Sequence, residues 1–201
     1  MIDPQSVKGF LAPEEGEALA DAARSVGHLG PVIEIGSYCG KSALYIGPAA
    51  RDAGTHLFTI DHHRGSEEHQ AGEGYHDPDL YDAMVDAVDT LPEFRRNIRK
   101  AGLEDCVIAI VGRSADIARW WSTPASLVFI DGGHSMVAAQ ADYDGWAGKV
   151  APGGLLAIHD VFPDPKDGGR PPHEIWKQAM ASGKFESVAR INTLEMLRRL
   201  A

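Results

Sequence analysis

The sequence predicts a single α/β domain built on a mostly parallel sheet. Three observations carry this. Short apolar runs rich in Val and Ile alternate with helical patterns through most of the 201 residues. The runs at 32–35, 56–60, 127–130 and 155–158 stop on glycine or on an acidic or histidine residue, as strands do where they deliver side chains to a crevice. The last two runs, 185–191 and 193–198, are joined at Asn192 and read as an antiparallel hairpin that closes a seven-stranded sheet.

Composition sets the outer bounds. A chain of this length with 44% hydrophobic residues supports one full core, so 1–201 is read as one domain. No apolar run approaches the ~20 residues a membrane span needs, and the first 20 residues lack the apolar core of a signal peptide. Two cysteines, Cys39 and Cys106, make no disulfide framework, so a reducing cytoplasm is the expected setting. A net charge of −10, from 19 basic and 29 acidic side chains, argues against a nucleic-acid partner.

In chain order, 13–26 reads as a helix with Pro13 at its start, acids in its first turn and Leu19, Ala22, Ala23 and Val26 on one face. Residues 13–30 are read as helical scaffold. The strand 32–35 breaks at Gly36 and restarts as a helix after Gly40, running from Lys41 to Arg51. That strand, glycine turn and helix aim free N–H groups at a ligand. The turn GSYCGKS falls one residue short of a phosphate-cradling G-x-x-x-x-G-K-[ST], because position 35 is Ile. Glu34 stands where it would repel an anion and suits a cationic or amino-bearing ligand such as S-adenosylmethionine. The second strand ends on Asp61, placed to accept from both hydroxyls of a ribose.

From His62 to Asp82 the chain is polar and holds four histidines, which reads as a lid or specificity loop. His62, His63, His69 and His76 lack the paired spacing of a structural zinc site and are expected at the surface or lining a substrate. Tyr75 and Tyr81 are candidate acceptor contacts. A helix capped near Thr90 or Leu91 runs to Gly102, and 106–111 is the third strand. Gly112-Arg113-Ser114-Ala115-Asp116 follows at its carboxyl end, where Ser114 and Asp116 can reach an adenine or cap the next helix. Trp120 and Trp121 are expected as core and rim packing. The fourth strand ends in Asp131-Gly132-Gly133-His134 and the fifth in His159-Asp160. If the two strands are neighbours, Asp131 and Asp160 converge on one edge, as a hard divalent cation requires. A helix over 174–182 precedes the hairpin.

Together these residues resemble the class I S-adenosylmethionine-dependent O-methyltransferases, from about Val32 onward. VIEIGSYCGKSAL is similar to the glycine motif of catechol O-methyltransferase, and GRSAD to its adenine-side turn. The resemblance implies a Rossmann-like methyltransferase fold. It implies that Glu34, Gly36, Tyr38, Gly40, Ser42, Asp61, Ser114, Ala115 and Asp131 contact S-adenosylmethionine. It further implies Mg²⁺ or Mn²⁺ on Asp131, His159 and Asp160, with His134 as general base. Where the catechol enzyme has a lysine base this chain has His134, a pattern similar to bacterial macrolide-sugar O-methyltransferases and to the 1-O-methyltransferases of methylmannose polysaccharide synthesis. The expected acceptor is therefore a sugar hydroxyl on a small molecule or oligosaccharide, and a homo-oligomer is compatible with the sequence. Three alternatives stand beside it: a catechol-type O-methyltransferase, a P-loop-like NTPase resting on Gly40-Lys41-Ser42 and Asp131, and a non-catalytic module that keeps the cofactor fold.

Overall fold

The computed structural model describes residues 2–70, 72, 74, 76–164 and 166–201. Its main sheet joins β1 (Val32–Ile35), β2 (Leu57–Asp61), β5 (Val107–Val111), β6 (Ala125–Ile130), β7 (Val150–Ile158), β8 (Phe185–Ile191) and β9 (Leu194–Arg199) in the order β5-β2-β1-β6-β7-β9-β8. The first five of these in that order run parallel. β9 is antiparallel to β7 and pairs with β8 as the closing hairpin. The expected seven-stranded, mostly parallel sheet with a C-terminal antiparallel hairpin is the sheet observed.

Alternation along the strands builds two cores. Val32, Leu57, Leu127, Phe129, Leu155 and Ala157 face the helices α1 (Pro13–Val26), α2 (Lys41–Asp52) and α3 (Leu91–Ala101). Their neighbours Ile33, Ile60, Val128, Ile130, Leu156 and Ile158 face α4 (Ser114–Ala118), α5 (Met136–Trp146) and α6 (Pro171–Ala181). With helices on both faces, the central strands are buried throughout and read as unbroken apolar runs.

The strand order reverses between β1 and β6. Parallel registers Ile35↔Ile60, Ile35↔Ile130 and Ile130↔Ile158 bring the residues that follow each strand to one carboxyl edge. Ligands of open α/β sheets bind outside that edge, at the point of reversal.

Three expectations need correction. The segment after β2 contains a small hairpin, β3 (Tyr81–Asp82) with β4 (Ala87–Val88), whose two-residue strands are too short to carry an alternation signal. β7 begins at Val150 rather than near 155: Pro152 and the positive φ of Gly153 (81°) interrupt its apolar pattern, and the register with β6 shifts there. Trp120 and Trp121, expected as core and rim packing, follow α4, and only Trp121 packs, against Phe58 and Trp146. Trp120 is 89% exposed.

Candidate active site

The glycine turn between β1 and α2 is held by backbone strain and by one carboxylate. Gly36 (φ 85°) and Gly40 (φ 89°) adopt left-handed conformations, and between them Tyr38 does so at φ 45° despite its side chain. A Cβ at Gly36 would collide with the Asp131 carbonyl oxygen, so the bare backbone lets the turn lie against the end of β6. Asp61 Oδ2 accepts from the N–H groups of Ser37 and Tyr38 at 2.9 Å each, and Oδ1 from the N–H of His63 at 2.7 Å. The residue expected to grip a ribose thus also shapes the turn beside it.

Beneath the turn lies a buried polar group without a partner. Glu34 is fully buried, and neither carboxylate oxygen has a hydrogen-bond partner among the described residues; the same holds for Ser37 Oγ and for Thr59 Oγ1, whose residue is Glu34's register partner on β2. Burial pushes the Glu34 carboxyl up to about 8; the nearby Ser42 hydroxyl, although outside hydrogen-bonding geometry, offsets part of this, and the charges of Asp131 and Asp61 add to it. Unsatisfied buried polar atoms are costly, and their concentration here points to a ligand group that completes them. Lys41 does not serve as a phosphate lysine: its Nζ turns away to the Gly9 carbonyl at 3.1 Å.

After β5, Ser114 opens α4, and its hydroxyl donates to the carboxylate of Asp142 on α5. Asp142 is buried against Gly132, where a Cβ would lie 2.5 Å from its Oδ2, and burial pushes its carboxyl up to about 6. Sequence reading passed over Asp142. A lone Asp inside a helical pattern carries no local signal.

The ends of β6 and β7 bring Asp131, His134 and Asp160 together, with one ligating atom of each within 4.8 Å of the others. His134 Nε2 is 3.1 Å from Asp160 Oδ2, and Asp160 itself is left-handed (φ 55°). Burial alone would raise the Asp160 carboxyl, but hydrogen bonds from His134 and His159 hold it well below the usual carboxylate range. Two carboxylates and an imidazole fit a divalent cation, and the nitrogen donor admits Mn²⁺ as readily as Mg²⁺. The cavity among Asp131, Gly133, His134, Pro172 and Ile175 measures only about 10 Å³, the size of an ion or one water.

His159 does not join that cluster as expected. Its Nδ1 lies 3.0 Å from Asp131 Oδ1 and 3.4 Å from Asp160 Oδ2, while Nε2 lies 3.0 Å from Glu15 Oε2. With a carboxylate oxygen on each side the ring donates from both nitrogens and offers no lone pair to a metal. Burial would lower its pKa, but Asp131, Asp160 and Glu15 together raise it. Glu15, expected to be plain scaffold, is the second residue that sequence reading missed.

Among the described residues of the 62–82 segment, Ser66 and His69 lie beside the site. Ser66 lies over Gly133, where a Cβ would come within 3.8 Å of the serine Cβ, and His69 stacks near Tyr38 at 5.1 Å between centroids. His63 departs from expectation: it is buried, Nδ1 is 2.7 Å from Thr90 Oγ1, and its ring packs on Phe94. Tyr81 bonds Asp86 and lines a separate cavity of about 290 Å³ between the β3–β4 hairpin and α3. Tyr75 lies outside the described residues.

Known proteins share this fold. A family model described as "Methyltransferase domain" matches residues 33–161. Among solved structures, the chain is similar to the O-methyltransferase of Bacillus cereus in complex with SAH (16% identity, 96% of this chain and 83% of that one, TM-score 0.66). It is similar also to the O-methyltransferase TomG of Streptomyces achromogenes in complex with SAM (16% identity, 96% and 82%, TM-score 0.65). A third is the SAH-bound Podospora anserina methyltransferase PaMTH1 (17% identity, 96% and 80%, TM-score 0.66).

Proposed function

Because the chain belongs to the methyltransferase-domain family, we propose that it is an S-adenosylmethionine-dependent O-methyltransferase whose acceptor is a sugar hydroxyl, with the 1-OH of a mannoside the leading case. The observation that carries the cofactor assignment is Glu34: a fully buried carboxylate without a partner, under a strained glycine turn at the point where strand order reverses. An ammonium satisfies it, whereas a nucleotide phosphate is repelled. S-adenosylmethionine, when bound, supplies a methyl group made electrophilic by its sulfonium.

Each neighbouring residue then has a task. Asp61 and the Ser37 and Tyr38 amides border the ribose side, and Ser114 with Ala115 the adenine side. Asp131 and Asp160 would hold a divalent cation, whose contribution is to acidify an acceptor hydroxyl and fix its direction. His134 takes the hydroxyl proton, oriented by Asp160 through Nε2. A His base in place of a Lys, and a polar lid that sets Ser66 over Gly133, support a hydroxyl-rich acceptor over a flat aromatic one.

Calorimetric titration with S-adenosylhomocysteine and, separately, with a non-hydrolysable ATP analogue tests the cofactor. The expected result is binding of the first alone, weakened about 10–100-fold in Glu34→Gln because a charge-assisted hydrogen bond is lost. Binding of the ATP analogue alone overturns the reading. Turnover assays offering a mannoside and a catechol side by side test the acceptor, and preference for the catechol overturns the sugar assignment.

A further inference from the structure

Glu15 is the one acidic side chain of the N-terminal helix that is buried, and everything it touches leads to the candidate acid pair. Its Oε2 accepts from the Ala12 N–H at 3.1 Å and faces His159 Nε2 at 3.0 Å. Its Oε1 accepts from both the N–H (3.0 Å) and the hydroxyl (2.9 Å) of Thr193, in the turn between β8 and β9. Burial would raise its carboxyl; the donors from His159, Ala12 and Thr193 hold it below the ordinary value, so it sits in the core as a carboxylate.

Beyond Glu15 the chain of contacts continues through His159 to Asp131 Oδ1 and Asp160 Oδ2. The ring is 4% exposed and lies edge-on to Phe129, so packing limits its movement. Thr193 closes the loop from the other side, because its carbonyl accepts from the N–H of Val161, next to Asp160.

We infer that Glu15 is a positioning residue for the methyl-transfer site: by gripping His159 Nε2 it fixes the imidazole whose Nδ1–H aims the Asp131 and Asp160 carboxylates at a divalent cation. The inference rests on the O-methyltransferase reading of the same site and adds a residue from outside the family-matched segment. Oriented partners of ligating groups govern affinity and rate because a carboxylate free to rotate must be ordered again at each binding event.

The test uses the whole protein with Glu15→Gln and Glu15→Asp, the latter keeping the charge but one methylene too short to reach His159. Leu19→Ala, a cavity variant on the same helix, controls for lost stability. Side-chain ¹⁵N NMR of the metal-free protein reads the ring directly. Both His159 N–H groups should give exchange-protected signals in the wild type and in Leu19→Ala, and these should vanish in the two Glu15 variants. Mn²⁺ affinity by electron paramagnetic resonance should fall about 10–100-fold in both Glu15 variants, with S-adenosylhomocysteine affinity within about twofold of wild type. Unchanged ring signals, a Mn²⁺ loss no greater than that of Leu19→Ala, or a wild type that binds no Mn²⁺ overturns the inference. A wild type that fails to bind S-adenosylhomocysteine sinks the cofactor reading instead, while the ring signals still decide the role of Glu15.

Discussion

At the scale of single residues, His134 and Glu34 carry the sharpest consequences. In the proposed reaction His134→Ala removes the general base, a change expected to lower kcat about 10²–10⁴-fold while leaving S-adenosylhomocysteine affinity intact. Mn²⁺ binding measured on the same variant separates a base, which leaves it unchanged, from a ligand, whose loss weakens it. Glu34 makes the protein pH-sensitive in a defined direction. Its carboxyl sits near 8 in the folded protein against 4.5 for the ordinary group, so between these values the native state holds a proton that the unfolded chain releases. Stability must therefore fall as pH rises from 4.5 to 8. Subtracting the urea-denaturation curve of Glu34→Gln isolates that slope, and a flat difference removes the account. Since an ammonium ligand requires the ionised carboxylate, cofactor binding should also release a proton near pH 7, read as a buffer-dependent calorimetric enthalpy that Glu34→Gln abolishes. The sequence made Glu34, Asp61, Asp131 and Asp160 legible because each sits at or near a strand end, where position alone dictates direction. Glu15 and Asp142 were not legible: each is an acidic residue in a helix, indistinguishable by local pattern from a solvated one until distant strands are placed beside it.

Among elements, the turn from Gly36 to Gly40 binds local strain to long-range packing. Gly36→Ala would both hold a side chain at positive φ and force β1 from the end of β6. A loss of about 2 kcal/mol or more is expected, together with loss of S-adenosylhomocysteine binding, measured by urea denaturation and calorimetry. Substitution at Gly102, where φ is 67° but nothing lies within 4 Å of the added Cβ, should cost only about 1–2 kcal/mol and spare binding. Helices were legible through their 3.6-residue period, and the central strands as unbroken apolar runs. The β3–β4 hairpin and the start of β7 were not, since two-residue strands have no period and Pro152-Gly153 breaks the one in β7. His63 misled for a related reason. A histidine in a polar segment reads as exposed, yet the backbone turn after Asp61 drives it inward onto Thr90.

For the whole molecule, the sheet and the segment that covers it should differ in local stability. The strands β1 and β6 and the 155–158 part of β7 are buried on both faces, whereas residues 62–90 bury only Leu80 and Val88 in the apolar core and otherwise meet the body through contacts that include Ser66, His63, His69 and the ion pairs of Lys8 with Asp77 and Asp79. Exposed pairs of that kind contribute about 0–1 kcal/mol each. Amide hydrogen exchange should accordingly be slowest in 32–35 and 127–130 and faster by orders of magnitude in 62–90, with ligand protecting the latter. Equal protection in both would mean that the cover is part of the global folding unit. Among the described residues no helix is long and apolar enough to cross a membrane. The contact of Glu15 with Thr193 also sets an order in time. It joins residues 178 positions apart, and contacts closing so long a loop are among the slowest to form. In refolding, the glycine turn and its neighbours can assemble from residues 32–61 well before the acid pair is braced from both ends of the chain. Competence to hold the cofactor should thus return earlier than competence to hold a metal, and a chain stalled before its final hairpin would be able to dock the methyl donor without being able to spend it.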